Sequence, residues 1–123
     1  MLTEADILLA LRDCYDPTLP CNIVDLGLIH SIEVTADHEA PGADISGVPQ
    51  KHRIKIEITP PQTDEVALAQ LRAQIINRLA GLETVSHTEV AALDHPKWSP
   101  LQITLTGRRT LGLDGNPNLV QIR

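Results

Sequence analysis

The sequence of 123 residues predicts an α+β fold, a two-layer α/β sandwich with helices on one face of a small mixed sheet. Three observations favour this fold: a segment that alternates apolar and polar residues, a long amphipathic stretch after it, and capping signals where helices begin. The predicted order is helix, strand, strand, helix, strand. We expect a single domain over residues 1–123, because this length suits one core.

The N-terminal third predicts a helix and then a strand. Thr3 can cap the helix, and Asp6 at the third helical position comes close to a capping box. This helix is expected to end near Asp13 or Cys14. Leu28 to Thr35 contains several β-branched residues and predicts the first strand. Residues 36–50, rich in Pro, Gly and Asp, predict a long surface loop.

Lys51 to Thr59 is the clearest strand. His52 and the isoleucines that follow at every second position share one face, and charged residues occupy the other. This period-2 alternation predicts a sheet with one solvent-exposed face. The strand should pair with the first as an antiparallel hairpin, and we expect His52 to be exposed or hydrogen-bonded.

The second half of the chain predicts a long helix and a third strand. After two prolines, Thr63 or Asp64 can cap a helix that runs to about Ala80. Thr84 to Leu93 predicts the third strand.

The C-terminal part gives mixed signals. Ser99 followed by Pro100 predicts a helix that ends near Gly112. Residues 102–106 alternate apolar and polar residues and could form an extended segment instead. The last residues, 115–123, show turn signals and a short apolar end.

Composition excludes several classes of function. The net charge is −6, with one Trp, one Tyr and no Phe, which argues against nucleic-acid binding and against docking on anionic membranes. No segment is long and apolar enough to span a bilayer, and the N-terminus does not resemble a secretory signal. We therefore expect a cytoplasmic protein with reduced cysteines.

A proline-rich loop between the first helix and the first strand is the densest candidate site. Rigid loops often carry functional residues, but each polar residue here also has a local structural use as a turn former or cap. Both interpretations stay open for this loop, whose candidate residues are Asp16, Pro17, Pro20, Cys21, Asn22, Asp25 and Gly27.

The two cysteines give a weak metal signal. Six residues lie between Cys14 and Cys21, and a metal–sulfur cluster bound by one chain needs about four thiolate ligands. Core filling is the simpler interpretation. Bridging between two copies in a homodimer, His30 as an extra ligand, or a thiol enzyme that uses Cys21 are the alternatives.

Three C-terminal residues are candidates for partner binding. Arg108 and Arg109 form a small basic spot on an acidic chain, and they could pair with Asp25 or Asp16 or with a carboxylate of a partner. Trp98 could pack against the sheet or contribute to an interface.

Two segments resemble the SufT/PaaD-type family of iron–sulfur assembly proteins. The stretch Asp-Pro-x-Leu-Pro-x-Asn-Ile-Val-Asp-Leu-Gly-Leu-Ile beginning at Asp16 is similar to the opening signature of that family. The Trp-Ser-Pro, Ile-Thr and Gly-Arg-Arg-x-Leu-Gly segments after Trp98 resemble its ending. The resemblance implies a two-layer α/β fold and a role in maturing or inserting iron–sulfur clusters.

One departure from the family pattern bears on function. Members usually carry a cysteine four residues after the threonine that matches Thr59, and this chain has Thr63 there. A hydroxyl binds iron poorly because it stays protonated. The resemblance then implies a non-enzymatic accessory factor or adaptor without a resident cofactor, although iron or a cluster could bind transiently. Its partners would be the assembly machinery or client apoproteins. The alternative is a protein-binding module that has lost cluster chemistry.

Overall fold

The predicted element order is confirmed by the computed structural model, which describes residues 2–17, 19–61 and 64–112. Five main elements lead into a short C-terminal helical segment. They are α1 (Glu4–Leu11), β1 (Ile29–Ala36), β2 (His52–Ile58), α2 (Glu65–Ala80) and β3 (Val85–Ala92), followed by a 3₁₀ turn (Pro100–Gln102) and α3 (Leu105–Thr110). No helix within these residues is long and apolar enough to cross a membrane.

The sheet is mixed, and β2 lies at its centre. β1 pairs with β2 in the antiparallel sense, with Ile32 opposite Ile56, so the predicted hairpin is confirmed. β3 pairs with β2 in the parallel sense, with Val90 opposite Ile56. A parallel pair needs a crossover connection, and α2 provides it.

One face of the sheet supports the core, as the alternation along β2 predicts. The isoleucines of β2 are buried, whereas Arg53 and Lys55 on the opposite face are exposed. The helices cover the apolar face with buried aliphatic side chains. These are Ile7 and Leu11 of α1 and Leu71, Ile75 and Leu79 of α2.

Both long helices begin at the expected caps. Thr3 and Asp6 form a full capping box at α1, with the Thr3 Oγ1 accepting from the Asp6 backbone N–H. Of the two candidate caps for α2, Asp64 is used: its carboxylate accepts from the Ala67 N–H at 3.1 Å. These bonds satisfy donors that a helix leaves free in its first turn.

The predicted continuous helix from Ser99 to Gly112 is wrong. The Ser99 cap starts only a 3₁₀ turn, Ile103 is extended and buried, and Thr104 caps a second, shorter helix. The extended residues let the backbone N–H of Thr104 reach the carbonyl of Asp25 at 2.8 Å, which a continuous helix would prevent. The predicted conformation of residues 115–123 lies outside the described residues.

The expectation for His52 is also wrong. Its side chain is buried because it shares the inward face of β2 with Ile54. Among the described residues its Nδ1 has no hydrogen-bond partner.

The long loop, residues 37–51 in the structure, is fixed at its start by Asp37. The Asp37 carboxylate accepts from the Ser86 hydroxyl at 2.6 Å, and the Arg53 Nε lies 3.3 Å from it. The Ser86 hydrogen bond, supported by the backbone N–H of Glu39, lowers the pKa of Asp37. The loop is therefore tied to both β2 and β3.

Candidate functional site

The proline-rich loop folds back on itself directly after α1. Tyr15 and Asn22 form an isolated antiparallel bridge, and the Ile23 N–H donates to the Cys14 carbonyl at 2.9 Å. The Asp16 carboxylate accepts from the backbone N–H of Leu19, three residues further along, at 3.0 Å, which is a local side-chain-to-backbone bond of the capping type. Pro17 and Pro20 lie exposed at the outer end of this hairpin-like turn.

Asp25 bonds the loop to two other parts of the chain. Its Oδ2 accepts from Asn22 Nδ2 at 2.8 Å and from Arg12 Nη1 at 3.1 Å, and its Oδ1 accepts from Thr104 Oγ1 at 2.9 Å. Its side chain is almost fully buried, whereas Arg12 is half exposed. Both carboxylate oxygens therefore hold the loop in place, one through Arg12 and Asn22 and the other through Thr104.

The two segments that carry the family resemblance are in contact with each other. Trp98 Nε1 donates to the Leu26 carbonyl at 2.7 Å, and Gln102 Nε2 donates to the Gly27 carbonyl at 3.0 Å. Together with Thr104, these donors bond the three successive carbonyls from Asp25 to Gly27. The C-terminal segment therefore holds the loop in one conformation.

Two glycines make this close approach possible. Gly27 has a φ of +77°, and a Cβ there would lie 2.3 Å from the Gln102 carbonyl oxygen. A Cβ on Gly107 would lie 2.8 Å from the Asp25 carbonyl oxygen. A side chain at either position would push the two segments apart.

Both thiols lie in the core, so the core-filling interpretation of the cysteines is confirmed. Cys14 and Cys21 are each 1% exposed. Burial raises the pKa of both thiols, and the nearby Asp25 charge raises that of Cys21 further. Protonated, buried thiols are poor metal ligands.

The weak candidate set of Cys14, Cys21 and His30 does not converge. His30 is exposed on β1, whereas the two cysteines are inside. Within residues 2–17, 19–61 and 64–112, no group of three His, Cys, Asp or Glu side chains could hold a metal ion. The described residues therefore do not fit a resident cluster.

A groove of about 810 Å³ lies beside the end of β2. Its lining combines apolar residues with charges of both signs: Pro60, Pro61, Leu68, Leu93, Trp98, Arg72, Lys97, Glu65 and Asp94 among others. Thr59, at its approach, is buried, and its N–H donates to the Leu28 carbonyl at 2.8 Å. Thr63 lies outside the described residues.

Arg108 and Arg109 do not form the ion pair with Asp25 that internal pairing would require. Arg108 donates from Nη2 to the Pro100 carbonyl at 3.2 Å. Arg109 is exposed and has no hydrogen-bond or ion-pair partner within the described part of the chain.

The ion-pair partner of Asp25 is Arg12, which sequence reasoning missed because nothing in the local pattern links the two positions. Thr104 belongs to the matched ending, but its role as a cap and as a donor to Asp25 was not predicted.

A family model described as iron–sulfur cluster assembly protein matches residues 4–92. A curated relative, an Fe-S protein maturation auxiliary factor of Porphyromonas gingivalis, is 54% identical over 35 residues. That match covers 28% of this chain and 33% of the relative, so the chain spans only about a third of that protein in the comparison.

Solved structures share the fold. A conserved hypothetical protein from Thermotoga maritima superposes with a TM-score of 0.66 at 21% identity, covering 90% of this chain and 95% of that one. A domain of unknown function from Bacillus anthracis gives 0.57 at 21% identity, covering 89% and 92%. A Mycobacterium tuberculosis protein associated with iron–sulfur complex assembly and repair gives 0.51 at 27% identity, covering 91% and 86%.

Proposed function

The chain belongs to the iron–sulfur cluster assembly protein family, and on this basis we propose that it is a non-enzymatic accessory factor that helps client proteins receive their clusters. The cluster is its cargo or that of its partners, not a resident cofactor. The partners are the assembly machinery or the client apoproteins, and the cytoplasm is the expected place of action.

The observation that carries this proposal is the state of the two thiols. Cys14 and Cys21 are buried and their pKa values are raised, so they favour the protonated form that binds iron weakly. At the same time, the loop around Asp25 is held rigidly by the C-terminal segment. A rigid surface without exposed thiols suits an adaptor better than a cluster carrier.

The test is complementation of a strain that lacks the protein. We expect deletion to lower cluster occupancy in the host's iron–sulfur enzymes under iron limitation, and the wild-type chain to restore it. A Cys14→Ala/Cys21→Ala variant should restore it as well, provided that its thermal melt shows a folded protein. Full occupancy in the deletion strain would contradict any assembly role, and failure of the folded double variant would contradict the adaptor role.

In vitro reconstitution gives a second measurement. With ferrous iron and sulfide under anaerobic conditions, the isolated chain should develop no stable visible absorption band. A stable band that survives desalting would mean that the chain carries a cluster itself.

The second candidate function is a binding module that kept the fold and lost cluster chemistry, which is favoured by Thr63 in place of the family cysteine. A Thr63→Cys variant separates the two candidates. If the variant gains neither iron binding nor client maturation, the module without cluster chemistry is favoured; a gain in client maturation supports the accessory factor.

A further inference from the structure

Two leucines of the C-terminal segment are exposed although the segment itself is firmly held. Leu101 is 82% exposed and Leu105 is 60% exposed. Their neighbour Ile103 is buried against the core. The segment thus already has its inward anchor, and the two leucines do not contribute to it.

The 3₁₀ turn holds Leu101 in an exposed position, because its backbone is fixed by a cap and a proline. Ser99 and Gln102 form a capping box around the turn, and Pro100 restricts its backbone. The side-chain amide of Gln102 also donates to the Gly27 carbonyl, which fixes the turn on the loop. A side chain presented on a fixed backbone loses less conformational entropy when a partner binds.

The start of α3 continues the same surface. Arg108 and Arg109 lie three and four residues after Leu105, which places all three side chains on neighbouring positions of the helix surface. Arg108 also reaches the carbonyl of Pro100 at 3.2 Å, next to Leu101. We call these four residues, Leu101, Leu105, Arg108 and Arg109, the Leu–Arg patch.

The segment that carries the patch has a charge of opposite sign to that of the whole chain. Residues 95–112 include Lys97, Arg108 and Arg109 and no Asp or Glu, whereas the whole chain has a net charge of −6. The patch is therefore a local positive and apolar surface on an acidic protein. Such a surface attracts carboxylates, while the net negative charge of the chain repels phosphate backbones and anionic lipid.

We propose that the Leu–Arg patch docks an acidic, apolar protein segment, one that combines carboxylates with large aliphatic or aromatic side chains. This inference rests on the proposed accessory function, for which it names the class of partner. The leucines would fill the apolar contact and the arginines would bind the carboxylates, with Arg109 the more available of the two.

The first experiment uses three short fluorescent peptides and the full chain. One peptide combines Leu with Glu, the second replaces each Glu by Lys, and the third replaces each Leu by Ser. We expect the first to bind at least about tenfold more tightly than the others, and its affinity to fall as salt rises. Equal binding of all three peptides would overturn the proposal.

Variants locate the binding surface. Leu101→Ser/Leu105→Ser and Arg109→Glu should each weaken binding of the first peptide by about tenfold with unchanged melting temperatures, because the replaced side chains are exposed. The matched controls are Leu9→Ser/Val66→Ser, which removes exposed apolar residues elsewhere, and Lys55→Glu, which makes the same change of charge on the open sheet face. Controls that weaken binding as much as the patch variants would overturn the proposal.

Three further outcomes assign the patch to another occupant and would equally overturn the proposal. These are a wild-type dimer that the patch variants convert to monomer, peptide binding that is absent from the full chain and appears only after removal of residues 113–123, and binding to phosphatidylserine–phosphatidylcholine vesicles that the patch variants abolish. Complementation keeps this test separate from that of the proposed function. A patch variant that loses peptide binding yet restores client occupancy would show that the accessory function does not use the patch, which overturns the assignment of its partner alone. Full occupancy in the deletion strain contradicts the accessory function itself.

Discussion

At the scale of single residues, Asp25 joins three parts of the chain. Arg12 comes from the end of α1, Asn22 from the loop, and Thr104 from the C-terminal segment. The carboxylate is buried, so each of these bonds forms away from competing water. Loss of the carboxylate would leave the amide of Asn22 and the hydroxyl of Thr104 without their acceptor, while half-exposed Arg12 could be solvated instead.

We therefore expect Asp25→Ala to lower the free energy of unfolding by about 2–4 kcal/mol, since it removes a buried charged acceptor. Urea unfolding measures the loss. Asp13→Ala, which removes an exposed ion pair with Arg78, is the control and should cost less than about 0.5 kcal/mol. A similar small loss for both variants would mean that Asp25 does not hold the loop.

The sequence indicated Asp25, Asn22 and Gly27 as one group but did not reveal their partners. A local pattern reports turns and caps, so the turn-forming role of Asp16 and the positive φ of Gly27 could be foreseen. Bonds between Asp25 and Thr104 join positions 79 residues apart, and no period or spacing encodes them. The buried Nδ1 of His52 was missed for a similar reason, because its surroundings come from the N-terminus and the long loop.

At the scale of elements, the segment from Trp98 to Gly107 behaves as a strap across the loop. It is fixed by hydrogen bonds to the carbonyls of residues 25–27 and by the buried side chain of Ile103. By comparison, β2 is paired on both sides and packed under two helices. Regions with fewer buried contacts open at lower free energy.

Trp98→Phe tests this difference. The substitution keeps an aromatic ring and removes the donor to the Leu26 carbonyl, at a cost of about 1 kcal/mol, which corresponds to about fivefold faster amide exchange. We expect this acceleration at the Thr104 amide, measured by hydrogen–deuterium exchange, with unchanged protection in β2. Leu101→Ala is the control and should leave both regions unchanged. Uniform acceleration through β2 would show that the segment does not open separately.

Some elements could be predicted from the sequence more accurately than others. β2 and α2 were predictable because their periodicities are strong and their ends are marked by prolines, Asp64 and Gly81. The C-terminal helix was overestimated because Ser99-Pro100 starts a 3₁₀ turn as readily as an α-helix. Its interruption at Ile103 is a tertiary effect: the side chain enters the core and the next amide bonds the loop.

At the scale of the whole molecule, the buried thiols link stability to pH. Burial raises the pKa of Cys14 and Cys21 in the folded state above the ordinary value of 9.0. As the pH rises, the thiols therefore ionise at a lower pH in the unfolded chain than in the folded protein. Their contribution to stability is therefore complete below pH 9.0 and is lost as the pH rises toward the folded-state values.

We expect the stability advantage of the wild-type chain over Cys14→Ala/Cys21→Ala to shrink as pH rises above about 9. Tyr and Lys residues titrate in both proteins, so their effect on the free energy of unfolding cancels in the difference. Urea unfolding of the two proteins at a series of pH values gives the difference directly. A difference that stays constant across this interval would mean that the thiols ionise equally in both states.

The close approach of Gly27 to Gln102 has a consequence for where the protein can be cut. The family model ends at residue 92, yet Trp98, Gln102 and Thr104 supply donors to the loop between α1 and β1. A fragment trimmed to the matched range would leave three successive carbonyls and a buried carboxylate short of partners. The matched range thus omits residues that bond the loop, and recombinant fragments or domain fusions should retain the chain at least through Gly107.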